Sequence, residues 1–108
     1  MRGSGAGTRL VRALRSALDG FDVEMRADPV SSRTWTSITF AGERHALHLT
    51  IEGARAGEAA NALLAVFAAA ELTLPGHVLV DIGAVSDERD EEGTRAILDL
   101  EAVTVEAG

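Results

Sequence analysis

The chain has 108 residues, which suffices for one domain with a single modest core. An apolar fraction of 46% and a charged fraction of 25% exclude a disordered chain, and the lack of cysteine excludes disulfides, thiolate zinc sites and cysteine nucleophiles. A formal charge of −7, with all ten cations arginine, argues against gripping a phosphate backbone, which takes clustered cations.

Residues 1–7 are glycine-rich and read as a flexible leader ahead of one α+β domain over residues 8–108. Thr8 is suited to cap a helix that runs to about residue 18, where Asp19-Gly20 ends it. Leu10, Val11, Leu14 and Leu18 form its buried stripe, and Arg9, Arg12, Arg15 and Ser16 its wet face. Phe21, Val23 and Met25 then alternate with polar residues as a strand does. A second strand is expected from Arg33 or Thr34 to Phe40, a tight hairpin at Ala41-Gly42-Glu43, and a third strand from Arg44 to Glu52. That third strand puts His45, Leu47, Leu49 and Ile51 on one face.

Residues 54–72 form the helix that dominates the chain. Ala59, Leu63, Val66, Phe67 and Ala70 face a sheet, while Ala62, Ala65, Ala68, Ala69 and Leu72 leave the other side apolar as well. A helix apolar nearly all round is buried on more than one side, and a second subunit is the expected cover. The longest apolar run, Ala62 to Ala70, is far too short to cross a bilayer, and no signal-peptide-like stretch follows the opening residues. A soluble intracellular product is the expectation.

A fourth strand follows from His77 to about Val85, with Val78, Val80, Ile82 and Ala84 toward the helices. An acidic connector from Ser86 to Gly93 leads into a fifth strand, Thr94 to about Glu106, with a bulge expected near Ala102. The order α-β-β-β-α-β-β gives an α+β fold: a mostly antiparallel sheet with two helices on one face. Charge is uneven along it. Arg2, Arg9, Arg12 and Arg15 precede the first acid, whereas nine acids from Asp81 onward meet only Arg89 and Arg95. Such a dipolar chain suits head-to-tail packing of copies.

Sites for chemistry are scarce. His45 and His48 are three apart on a strand and point to opposite faces, so no metal site is expected. The run Asp87-Glu88-Arg89-Asp90-Glu91-Glu92 lacks the ligand spacing of a calcium loop and reads as a solvated or contact loop. No serine sits in a nucleophile elbow and no lysine is present for a Schiff base or phosphate loop, so neither an enzyme nor a cofactor is expected. Trp35 is suited to core packing or to anchoring a contact between subunits. The arginine stripe fits an acidic neighbouring subunit better than nucleic acid. Expected contacts between copies thus involve Arg9, Arg12, Arg15, Trp35, Ala65, Ala68, Ala69 and Leu72. Asp87, Glu88, Asp90, Glu91 and Glu92 form an acidic lumen or contact loop.

Several segments lie in one register. His45-Ala-Leu-His-Leu-Thr-Ile51 leads into Ala56-Gly-Glu-Ala-Ala60 and the Ala/Leu helix; Leu72-Thr-Leu-Pro-Gly-His-Val-Leu-Val80 follows; then come an acidic hairpin and Gly93-Thr-Arg-Ala-Ile-Leu-Asp-Leu-Glu-Ala-Val-Thr-Val105. Over about residues 35–107 this order resembles the tail-completion or tail-terminator proteins of long-tailed phages and of phage-derived gene transfer agents. The resemblance implies a structural virion protein at the junction of tail and head. Such proteins form a hexameric ring that ends tail-tube polymerisation and meets a head-connector or stopper protein, while DNA passes through the lumen without specific binding. The segment from Asp28 to Arg33 is shorter than the family's, and its Pro-Tyr-Val-type strand is absent. The alternatives are another neck or tail protein on the same fold, or a small α+β ligand-binding or regulatory module with a pocket between helices and sheet. A hydrolase subunit using Asp or Glu residues is a third reading.

Overall fold

Two long strands, β3 (Ala41–Glu52) and β5 (Arg95–Glu106), form the spine of the structure, a computed structural model that describes residues 5–106. They pair antiparallel over eleven positions, from Gly42 opposite Val105 to Glu52 opposite Arg95. β4 (His77–Arg89) lies along the far side of β5. Two short strands, β1 (Glu24–Ala27) and β2 (Ser31–Thr36), lie end to end along the far side of β3. The result is a five-stranded antiparallel sheet with α1 (Ala6–Ala17) and α2 (Ala56–Ala68) on one face, the α-β-β-β-α-β-β arrangement expected from the sequence.

Strand alternation explains the core. Leu47, Leu49 and Ile51 of β3 and Ala96, Leu98, Leu100 and Ala102 of β5 all point to the helix side and are buried. Leu10 and Leu14 of α1 and Ala56, Ala59, Ala60 and Leu63 of α2 close over them. Each fully buried leucine there contributes about 1.5–3 kcal/mol of burial free energy. His45 shares this side, fully enclosed, with Ser32 Oγ at 2.7 Å from Nδ1 and Thr104 Oγ1 at 2.9 Å from Nε2. Burial lowers its pKa, although Glu43 pulls the other way, so the neutral imidazole is favoured between two hydroxyls.

Several boundaries differ from the sequence reading. α1 starts at Ala6, which is buried, so the segment expected as a leader already belongs to the helix from there; residues 1–4 lie outside the described residues. Gly5, not Thr8, is the N-cap, and it supplies no side-chain cap. Phe21 closes a turn onto the Leu18 carbonyl and Asp22 takes a left-handed φ of 53°, which delays β1 until Glu24. The hairpin turn falls at Ser37–Phe40, where Phe40 N–H donates to Ser37 Oγ, leaving Ala41-Gly42-Glu43 inside β3. α2 stops at Ala68 rather than near residue 72. Ala70 adopts a left-handed φ of 56°, and Ala70 N–H and Glu71 N–H donate back to Phe67 and Val66 carbonyls, a Schellman ending with alanine in the glycine position. Ala70 is therefore exposed instead of facing the sheet.

The expected bulge in β5 is absent. Ala96, Leu98, Leu100, Ala102 and Thr104 keep one unbroken phase. The irregularities sit on β4, where Val80 and Val85 are each an extra residue relative to β5. These two bulges reset the alternation, so Leu79 and Ile82 pack on the core while Val78 and Val80 face outward. β4 also runs on to Arg89, absorbing the first half of the expected acidic connector.

Candidate assembly surface

The side of the sheet away from the helices carries cross-strand rows that can be read from the register. Trp35, Gly42, Val105 and Val78 make one apolar row across four strands. Trp35 and Ser32 are three residues apart on β2, so the indole faces away from the His45 side. The ring lies over Gly42, where an added Cβ would stand 2.8 Å from Trp35 Cζ2 and collide with the Thr104 carbonyl oxygen. The indole N–H is shielded there with no acceptor among the described residues, a loss of about 1–3 kcal/mol.

The next row holds Arg33, Arg44, Val103 and Asp81. The two arginines oppose each other directly, an unfavourable arrangement, and neither has an ion pair among the described residues. Ser31, Ala46, Glu101 and Gly83 follow, and small residues there floor a groove of about 370 Å³ walled by Arg33, Arg44, Asp81 and Glu101. Beyond it His48, Asp99 and Ser86 form a hydrogen-bonded set: His48 Nδ1 is 2.6 Å from Asp99 Oδ1, and Ser86 Oγ donates to Asp99 Oδ2 at 2.7 Å. The bond to Asp99 raises the His48 pKa, and the bonds from His48 and Ser86 lower that of Asp99. The carboxylate lies between serine and histidine, so the histidine does not reach the hydroxyl as a general base must.

At about 3.3 Å per residue, 13-residue β4 spans roughly 40 Å, so the 48 Å long dimension of the molecule follows the strands. The two ends differ in chemistry. At one end the β2–β3 turn exposes Ile38 completely and Phe40 by more than half, next to the apolar row. At the other end is the acidic β4–β5 hairpin, and its acids do not all act alike. Asp90 Oδ1 accepts the Thr94 and Arg95 amides at 2.8 and 3.1 Å, and Oδ2 accepts the Thr94 hydroxyl, so this residue builds the turn. Asp87 pairs with Arg89, whose Nη1 also reaches Asn61 Oδ1 at 2.7 Å on α2. Glu88, Glu91 and Glu92 are exposed, with no partner among the described residues.

On the helix side the expected contact residues fall into two groups. Arg9, Arg12 and Leu72 line a groove of about 590 Å³ between α1 and the segment after α2. Arg9 donates to the Pro75 carbonyl at 3.1 Å and Arg15 to the Met25 carbonyl at 2.6 Å, so both tie α1 to its own chain. Ala65, Ala68 and Ala69 lie exposed at the end of α2, and Leu72 is half-buried against the core. Trp35 lies on the opposite side of the sheet from all of these. The largest exposed apolar side chains were not among the residues expected from the sequence: Ile38, Phe40, Val78, Val80 and Val85, more than half exposed, concentrate on the β2–β3 turn and the β4 edge. No local signal marked the edge: Val80 fits the plain alternation of Val78, Ile82 and Ala84 and becomes an extra residue only through the register with β5.

No described protein family and no curated protein matches the sequence. The fold is similar to that of a protein in a solved structure of the virion of a native gene transfer agent particle, at a TM-score of 0.52 and 20% identity. The likeness runs end to end, over 94% of this chain and 95% of that one. At that identity it is a likeness of fold.

Proposed function

We propose that the chain is a structural virion protein, and more narrowly a ring-forming tail terminator that ends tail-tube polymerisation and joins the tail to the head connector. The observation that carries this reading is the fold likeness to a protein of a gene transfer agent virion, over 94% of this chain and 95% of that one. The surface supports it. A lone copy exposes a valine-bearing sheet edge and an apolar turn, and unlike patches of this kind close rings when copies pack head to tail. DNA passing through the lumen then meets side chains of a net acidic protein, which gives it no counterion-release affinity.

The acidic hairpin lies at one end of the strand direction, so in a ring with strands along its axis it sits at a rim, facing the next component of the tail or neck. Glu88, Glu91 and Glu92 are its free charges. The ligand-module alternative has less support: the space between helices and sheet is filled by Leu10, Leu14, Leu49, Leu63 and Leu98, all fully buried.

Deleting the gene in particle-producing cells tests the reading by electron microscopy. Tails of uncontrolled length, unattached to filled heads, are expected. Particles with normal joined tails would refute it.

A further inference from the structure

Both edges of the sheet are open, and they are unlike. Among the described residues β4 pairs along its length only with β5, apart from a turn bridge of His77 to Leu74 at its start, whereas β1 and β2 pair only with β3. Every neighbouring pair in the sheet is antiparallel, which makes β4 run opposite to β1 and β2. A second copy, placed by rotation about an axis along the strands, therefore sets its β1–β2 edge against β4 in the antiparallel sense. Long open edges with outward valines are templates for such pairing.

We propose that copies of the chain join by this edge-to-edge pairing, β4 of one against β1 and β2 of the next, with each cross-strand row continuing into its neighbour. That register puts Val78 beside the neighbouring Trp35, Asp81 beside Arg33, Gly83 beside Ser31 and Glu88 beside Arg26. It offers Arg33, opposed by Arg44 within its own chain, the carboxylate it lacks. Sliding the partner by one row in either direction sets Asp81 against Trp35 or Ser31 and removes both charge matches. The bulges leave β4 in three straight pieces, and each carries at least one match: Val78 in the first, Asp81 and Gly83 in the second, and Glu88 in the third. A two-fold pairing of β4 with itself would instead set a strand carrying Asp81, Asp87 and Glu88, with Arg89 its only cation, against an identical strand. The heterologous pairing is directional and extends from copy to copy, so it deepens the ring reading above and rests on it for closure.

Charge exchange in the purified chain tests this, with association followed by light scattering up to millimolar concentration. Asp81→Arg and Arg33→Asp should each weaken self-association by about tenfold or more, since like charges then meet. An equimolar mixture of the two variants should recover it, because alternating copies restore an opposite pair at every contact. The chain has no native cysteine, so Val78→Cys with Trp35→Cys in one chain gives a second readout independent of charge. Antiparallel neighbours stand about 4.5–5.5 Å apart at Cα, within disulfide reach, so oxidation should give a ladder beyond the dimer while either single variant gives none. A wild-type chain that assembles while the mixture gives no recovery and the cysteines no ladder would overturn the pairing and leave the ring reading standing. A chain monomeric throughout, without a ladder, would also overturn the pairing. The gene deletion above decides the terminator reading separately.

Discussion

Replacing Gly42 with alanine is a sharp test of how the sheet is built. The new methyl would stand 2.8 and 3.0 Å from two ring atoms of Trp35 and would overlap the Thr104 carbonyl oxygen on β5. The second neighbour is main chain of a strand paired on both sides, with Glu43 of β3 and Leu79 of β4 flanking Thr104, so it has little room to move. The cost should therefore reach the upper end of the range for inserting a methyl into a packed site, about 3 kcal/mol. Gly83, on the same open side, provides the contrast. A Cβ there meets nothing within 4 Å, and alanine should stabilise by about 0.5 kcal/mol through reduced backbone freedom in the unfolded chain. Trp35 is the only tryptophan and adjoins Gly42, so its fluorescence reports urea unfolding directly. With m of about 1–3 kcal/mol/M, Gly42→Ala should lower the midpoint by about 1–3 M and Gly83→Ala should raise it slightly. Shifts of the same sign at both positions, or a Gly42→Ala midpoint within experimental error of wild type, would show that the indole does not lie over Gly42.

Four further outcomes are expected. Leu63→Ala, at a fully buried position of α2, should cost about 2–5 kcal/mol in the same unfolding experiment. Ala70→Gly should stabilise by about 1 kcal/mol, because the left-handed residue of the Schellman ending then carries no Cβ; a loss of stability would refute that helix end. For the His48–Asp99 pair, the raised His48 pKa means its contribution is complete below pH 6.5 and disappears as pH rises through the folded value. The lowered Asp99 pKa means that its contribution holds above pH 3.8 and is lost as pH falls through the folded value. Asp99→Asn should flatten both limbs of the stability–pH curve. Asp90→Ala should speed hydrogen exchange at the Thr94 and Arg95 amides, whereas Glu91→Ala should leave them as they are.

The parts of the fold that were legible from the sequence are those where one strand face is buried without interruption. His45, Leu47, Leu49 and Ile51, and again Ala96 to Thr104, carry their alternation openly, and the helices carry theirs. β4 was misread because its two surplus valines shift the phase twice, and nothing local distinguishes an added residue from a regular one. The β2–β3 turn was misplaced because Ile38 and Phe40 resemble strand residues, while the hydroxyl that closes the turn belongs to Ser37. For the candidate surface, the surplus of apolar groups on α2 is present in the exposed Ala65, Ala68 and Ala69. The larger surplus lies on the sheet, where it becomes visible only through the pairing of strands distant in the chain. The same holds for His48 and Asp99, 51 positions apart and joined only by register. Asp87 and Asp90, part of an apparently uniform acidic run, turned out to serve Arg89 and a turn.

The surplus residues of β4 also bear on how such a chain can diversify. Each lies outside the close-packed interior, between stretches that stay aligned with β5. Loss of the single codon for Val85 would set Ala84 directly before Ser86, residues that already lie on opposite faces with consecutive partners on β5, so the strand would straighten there while Glu88 stays on the outer side and Arg89 stays toward Asn61. Lineages can thus bend or straighten this border in one genetic step, changing which neighbour fits along it, while the leucine interior that keeps the protein folded is inherited unchanged.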